Sequence, residues 1–135
     1  MLKIASIDIG LKRIGCAICF DEKTVMPQTA IFRENRNQAA REVDDFLKEY
    51  EIDTLVVGLP KGGESEDEMK RRVEHFISLL GYEKTIIYQD EYGSSVEAKE
   101  MMRGVIKQKR DGKVDSIAAK IILERWLEFR LISNT

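Results

Sequence analysis

Short apolar runs occupy the first quarter of the chain, and each run ends in a turn. They cover residues 2–9, 13–20 and 25–32. The turns between them are short enough to join consecutive strands, so the pattern predicts a three-stranded antiparallel start. Pro27 lies near the start of the third run. Because proline cannot donate to a strand ladder, this strand is predicted at a sheet edge or with an irregular start.

Beyond residue 34 the apolar positions follow helical spacing, interrupted by short, wholly apolar runs. The spacing predicts helices at 35–50, 65–80, 94–103 and 114–131, with buried strands at 54–58 and 84–88. Ser65 with Glu68, and Ser94 with Glu97, have the pattern of capping boxes. Strands that alternate with helices form parallel crossover units. The sequence therefore predicts an α/β fold with a mixed sheet flanked by helices, in a single domain at 1–135.

Composition narrows the class of protein without identifying it. Of the 135 residues, 43% are hydrophobic and 34% are charged, and the net charge is −2. Nucleic-acid binding would therefore need a local basic patch, since no overall positive field exists. No apolar run has the length of a membrane span, and the N-terminus lacks a signal-peptide pattern, so we expect a soluble cytoplasmic protein. Cys16 and Cys19 face opposite sides of their predicted strand, which predicts core cysteines without a disulfide or shared metal.

Asp8 places a carboxylate at the end of the first buried strand, close to Gly10. Alternation puts Leu2, Ile4, Ser6 and Asp8 on one face of this strand. A lone carboxylate is costly to desolvate and needs a donor or a cation nearby. It could simply cap the following turn. The alternative hypothesis is a metal or phosphate site completed by other parts of the chain.

Two later segments could supply the partners of Asp8. Asp90 and Glu91 follow the predicted strand at 84–88, where ligands of open α/β sheets bind, although both could instead cap the next helix. They face opposite sides if the strand continues, so only one is expected in the site. Asp115 continues the apolar stripe of the last helix into its first turn, where the helix dipole also favours an acid. Converging carboxylates repel one another, and a pair of Mg²⁺ or Mn²⁺ ions would relieve that repulsion and support phosphodiester cleavage.

Four blocks of the sequence resemble the YqgF/RuvX family of Holliday-junction-resolvase-like proteins. The blocks are Asp8-Ile9-Gly10 with Lys12-Arg13-Ile14-Gly15, Val56-Val57-Gly58-Leu59-Pro60, Asp90-Glu91 before Ser94-Ser95-Val96-Glu97-Ala98, and Lys113-Val114-Asp115-Ser116-Ile117-Ala118-Ala119. The Asp-x-Gly motif alone is a weak indicator of the family, whereas four blocks in this order are a specific one. The resemblance implies a ribonuclease H-like sheet, with Asp8, Glu91 and Asp115 as catalytic metal ligands. It also implies processing of the 5′ end of precursor 16S rRNA, or cleavage of Holliday junctions.

One part of the motif departs from the family. Tyr92 and Gly93 stand where the family usually has arginine and leucine. Tyrosine offers a neutral donor or a stacking face in place of a cation, which affects substrate choice and rate more than metal binding.

Basic residues beside these acids could contact a nucleic acid, although each group could also be an ordinary solvated surface. They are Lys12, Arg13, Arg103, Lys107, Lys109, Arg110 and Lys113. Two other classes of protein remain open. Actin-like and sugar kinases open with a similar Asp-x-Gly hairpin but need two lobes, and an RNA-binding ribosome assembly factor could keep the fold without catalysis. The sequence allows a monomer or a homodimer, and only junction cleavage would require the dimer.

Overall fold

The computed structural model describes residues 2–59, 66–90 and 113–133; for residue 90 and residues 113–115 and 131–133 it describes the backbone alone. In chain order the elements are β1 (Ile4–Ile9), β2 (Arg13–Cys19), β3 (Met26–Phe32), α1 (Arg36–Glu49), β4 (Thr54–Leu59), α2 (Glu66–Ser78), β5 (Thr85–Asp90) and α3 (Lys113–Ser133). The strands form one sheet in the order β3-β2-β1-β4-β5. The first three strands are antiparallel, and β4 and β5 run parallel to β1. The mixed sheet confirms the predicted fold class.

The sheet separates two apolar layers. On one face, α1 and α2 pack on Ala5, Ile7 and Leu55. On the other face, α3 packs on Ile4 and Val56. The strict alternation along β1 arises because successive side chains of a strand point to opposite faces. Both faces are covered, which explains why β1 and β4 are almost wholly apolar.

Most element boundaries agree with the sequence to within two residues. β3 begins at Met26 and lies at the sheet edge, as Pro27 predicted. β5 begins one residue later than predicted and extends to Asp90, because its last two residues pair with Gly58 and Leu59. An apolar pattern misses such polar strand ends. The predicted helix at 94–103, Ser65 of the first capping box and the whole of the second lie outside the described residues.

Local features of α1 and of the cysteines fit the sequence. Asn35 caps α1, and its side chain accepts a hydrogen bond of 2.8 Å from the backbone N–H of Gln38. Cys16 and Cys19 are free and buried, and they contribute to opposite apolar layers, as alternation predicted. His75 is exposed on α2. Within the described ranges, no helix is long and apolar enough to cross a membrane.

Candidate active site

Asp8 lies near the C-terminal end of β1, on the face of the sheet that α3 covers. Its strand neighbour Ser6 faces α3, and alternation places Asp8 on the same side. The register sets Asp8 opposite Gly15 of β2, and it pairs Ile7 with Val57, which leaves Gly58 of β4 beside Asp8. Both glycines are buried. Asp8 itself is partly exposed. The residues beside it on β2 and β4 are both glycines, which have no side chains.

Two serine hydrogen bonds fix how α3 crosses this face. The Ser6 hydroxyl donates to the carbonyl of Ala119 at 2.6 Å, and the Ser116 hydroxyl donates to the carbonyl of Gln28 at 2.5 Å. At the far end of the helix, Arg130 donates to Glu22 in the β2–β3 turn at 2.8 Å. The helix therefore runs antiparallel to β1, with its first turn at the Asp8 end of the sheet.

This crossing brings the backbone of Asp115 towards Asp8. Asp115 precedes Ala119 by four helical residues, a rise of about 6 Å. Asp8 follows Ser6 by two strand residues, a rise of about 6.6 Å. Because the two elements run in opposite directions from the Ser6–Ala119 bond, both acidic positions lie at nearly the same level along the axis of β1. The side chain of Asp115 is outside the described part of the chain.

Gly10 makes a tight turn directly after β1. Its N–H donates to the carbonyl of Arg13 at 3.0 Å. A Cβ at this position would stand 2.6 Å from that same carbonyl oxygen, so a larger residue would force the turn apart. The group that approaches this glycine closely is thus the chain's own backbone.

Arg33 holds the Gly10 turn from the other side of the sheet. Its Nη1 donates to the carbonyl of Gly10 at 2.7 Å, and its guanidinium lies 5.3 Å from the ring centroid of Phe76 on α2. Partial burial, with a smaller contribution from Arg36, lowers the pKa of Arg33. Guanidinium groups ionise so far above neutral pH that the cation persists. No sequence pattern indicates this role of Arg33, because it depends on which strand end meets the turn.

The described structure places only part of the predicted acidic set. β5 ends at Asp90, and its backbone pairs with Leu59 at the same end of the sheet as Asp8. Glu91 lies outside the described residues. Among the side chains that are described, which exclude those of Glu91 and Asp115, no group of three or more metal-ligating residues occurs. That only one of Asp90 and Glu91 enters the site stays a prediction.

Of the predicted basic residues, too, the structure describes only some. Lys12 is exposed on the β1–β2 turn, and Arg13 is partly exposed at the start of β2, opposite Phe32. Lys113 begins α3, with only its backbone described. Arg103, Lys107, Lys109 and Arg110 lie outside the described residues. The two described side chains therefore lie at the Asp8 end of the sheet, and their contact with nucleic acid stays a prediction.

A cavity of about 600 Å³ lies at the opposite end of the parallel strands. Its polar groups are engaged with one another: the Tyr82 hydroxyl donates to the carbonyl of Ile52 at 3.2 Å, and Asp53 accepts from the Lys3 N–H at 2.9 Å. The hydrogen bond from the Lys3 N–H, with a smaller contribution from Lys84, lowers the pKa of Asp53. Ligands of open α/β sheets bind at the C-terminal ends of strands, so the Asp8 end is the better candidate for the active site.

The fold is that of ribonuclease H-like resolvases. A solved structure described as Thermus thermophilus RuvC in complex with Holliday junction substrate superposes with a TM-score of 0.61, covering 97% of this chain and 96% of that chain at 15% identity. A family model described as "RuvX: Holliday junction resolvase" matches residues 2–129. The chain belongs to this RuvX family, as the four sequence blocks indicated.

Curated relatives are similar over nearly their whole length. A protein of Sulfurovum sp. (strain NBC37-1), named "Putative pre-16S rRNA nuclease", is 64% identical over 126 residues, which is 93% of this chain and 98% of the relative. A protein of Sulfurimonas denitrificans with the same name is 56% identical over 126 residues, covering 93% of this chain and 97% of the relative.

Proposed function

We propose that this protein is a metal-dependent nuclease that processes the 5′ end of precursor 16S rRNA. The observation that carries the proposal is the position of Asp8 at the end of a buried strand, between Gly15 and Gly58 and level with the first turn of α3. The names of the relatives from Sulfurovum and Sulfurimonas support the choice of substrate. In this proposal residues 1–135 act as one nuclease domain.

The residues fit hard divalent cations. Asp8 offers carboxylate oxygens beside two glycines, Gly15 and Gly58, which carry no side chains of their own. Asp115 lies in the first turn of α3, the helix that crosses this face of the sheet, and Glu91 comes two residues after Gln89, which alternation places on the α3 face of β5. Asp8, Glu91 and Asp115 would hold Mg²⁺ or Mn²⁺, and two ions so held supply water activation and stabilisation of the leaving oxygen. Histidine does not compete, since His75 is exposed on α2.

The protein side of the mechanism is positioning. The Ser6–Ala119 bond helps to set the position of α3 along β1, and the Arg33–Gly10 bond fixes the turn that follows Asp8. Both keep the acidic positions in place before substrate arrives, which reduces the ordering that the transition state requires. Lys12 and Arg13 would contact backbone phosphates near the scissile bond, with Arg103, Lys107, Lys109, Arg110 and Lys113 extending the basic surface.

Junction cleavage is the second candidate function, favoured by the description of the matching family model. The deciding experiment incubates purified protein with labelled precursor 16S rRNA and with a four-way DNA junction, in Mg²⁺ or Mn²⁺ and in EDTA. We expect metal-dependent cleavage of the RNA near its mature 5′ end. Symmetric cleavage of the junction alone would favour the resolvase function. Binding of RNA without cleavage in any metal would contradict a nuclease and support the assembly-factor alternative.

A further inference from the structure

Phe32 exposes an aromatic ring at the active-site end of the sheet edge. It is the last residue of β3 and is 52% exposed. Its register partner on β2 is Arg13. The preceding pair, Ile14 and Ile31, packs on the α1 and α2 side, so alternation places Arg13 and Phe32 on the same face as Asp8. An acid, a cation and an aromatic ring therefore follow one another across β1, β2 and β3.

The surface around Phe32 is basic. Apart from Arg33, which packs over Phe76 on the α2 side, segments 11–13 and 32–36 contain three cations, Lys12, Arg13 and Arg36, against one carboxylate, Glu34. They are adjacent in space, because the N–H of Arg33 donates to the carbonyl of Lys12 at 2.8 Å. Such a local positive surface contrasts with the net charge of −2 and matches a polyanion.

The backbone beneath the ring is held on both sides. The Gln38 side chain, which belongs to the capping box of α1, donates to the carbonyl of Phe32 at 2.9 Å. The next residue, Arg33, is fixed to both Lys12 and Gly10. A ring on a fixed backbone loses little conformational freedom when a ligand stacks on it, which favours binding.

We propose that Phe32 is a stacking platform for an unpaired base of a single-stranded nucleic acid whose phosphates contact Lys12 and Arg13. The inference rests on the proposed function for the position of the scissile bond. Two strand spacings sideways and two residues along the strand separate Phe32 from Asp8, about 12 Å in all. The platform would therefore bind a nucleotide beside the cleaved bond. Bases within a duplex are already stacked on their neighbours, so this surface favours single strands over junction arms.

The test measures binding separately from cleavage. Short single-stranded RNA carrying one fluorescent adenine analogue is titrated with wild-type protein and with Phe32→Ala, Phe32→Trp and Phe129→Ala, all in EDTA. Phe129 is a matched control, since its ring is 63% exposed near the other end of α3. We expect Phe32→Ala to weaken binding about tenfold and to abolish the fluorescence change on stacking, whereas Phe32→Trp and Phe129→Ala retain both.

Three outcomes would contradict the stacking role of Phe32 and would leave the nuclease proposal unaffected. One is unchanged single-strand affinity and fluorescence in Phe32→Ala; another is an equal loss in Phe129→Ala. A third is a change of oligomeric state in sedimentation with RNA affinity retained, which would make Phe32 a contact between protein copies. Cleavage of precursor RNA by wild-type protein in Mn²⁺ is scored in parallel. Its absence, with Phe32-dependent binding intact, would overturn the nuclease and leave the platform standing.

Discussion

The hydroxyl of Ser6 and the carbonyl of Ala119 are joined by a buried hydrogen bond of 2.6 Å that fastens β1 to α3. Ser6 precedes Asp8 by two residues, and Ala119 follows Asp115 by one helical turn. This contact, together with the Ser116–Gln28 bond, thus helps to set the separation of two acidic positions that are more than a hundred residues apart in sequence. Any slip of α3 along the sheet would move Asp115 away from Asp8.

Replacing Ser6 with alanine should therefore affect both stability and the site. We expect the free energy of unfolding to fall by about 1 kcal/mol, the net value of one hydrogen bond, in urea denaturation. Stabilisation by Mn²⁺ should weaken as well, because the ligand positions become less well fixed. Ser78→Ala is the control, since its hydroxyl is exposed and bonds only within α2. An equal metal response in both variants would contradict the positioning role of Ser6.

Arg33→Lys tests the support of the Gly10 turn. Lysine keeps the charge but cannot both reach the Gly10 carbonyl and lay a planar group over Phe76. We expect a loss of about 1–2 kcal/mol in stability, with a lower kcat and little change in KM. Arg72→Lys is the control, because Arg72 forms an exposed ion pair with Glu68 on α2. A change in KM alone would indicate that Arg33 contacts substrate and does not position Asp8.

Cys16 should be chemically inert in the folded protein. Burial raises the pKa of its thiol from 9.0 to about 12. Because the unfolded thiol ionises first, its contribution to stability is complete below about pH 9 and is lost as the pH rises towards 12. Iodoacetamide at pH 8 should label Cys16 only in urea, and Cys16→Ala should reduce the alkaline loss of stability. The contribution of Tyr82, whose pKa burial raises to about 12, would remain. Rapid labelling of the native thiol would contradict this prediction.

Local patterns predicted the features that depend on one element. Alternation predicted the face of Asp8 and the opposite orientations of Cys16 and Cys19, and the missing N–H of Pro27 predicted an edge strand. The stripe that begins at Asp115 predicted the packing face of α3, where Ala119, Ile122, Leu123 and Trp126 are buried. These features follow from backbone geometry alone.

Features that depend on contacts between elements were not predicted. The pairing of Phe32 with Arg13 follows a register shift between Ile14 and Cys16, which no local pattern encodes. Arg33 meets Gly10 only once β3 and the β1–β2 turn are assembled. The assignment of Glu91 still rests on its place after β5 and on the family resemblance, and that of the basic residues at 103–110 rests on the charge pattern of the sequence.

The basic segment can be tested through the salt dependence of binding. Replacing Lys107, Lys109 and Arg110 together with alanine should weaken RNA binding for all sequences. The slope of log K against log salt should fall by about 0.7 for each lost phosphate contact to a single strand.

The matched control for the basic segment replaces Lys70, Arg71 and Arg72 on α2. Lys70 and Arg72 form surface ion pairs with Glu66 and Glu68, so their loss should leave the slope unchanged. An equal slope in both triple variants would mean that residues 107–110 face solvent.

Asp8→Asn tests the chemistry most directly. Asparagine has nearly the same shape, so packing beside Gly15 and Gly58 should survive, while the charge that holds a divalent ion is lost. In wild-type protein, Mn²⁺ at a hundredfold excess over its dissociation constant should stabilise the fold by about 2.7 kcal/mol. The variant should lose cleavage and most of this shift, and its metal-free melting temperature should be unchanged or higher, because repulsion among the acids falls. Asp45→Asn, an exposed position on α1, controls for the substitution itself. Normal cleavage with normal stabilisation by Mn²⁺ would indicate that Asp8 only caps the turn. A lower melting temperature without metal would indicate that Asp8 is a structural ion-pair partner.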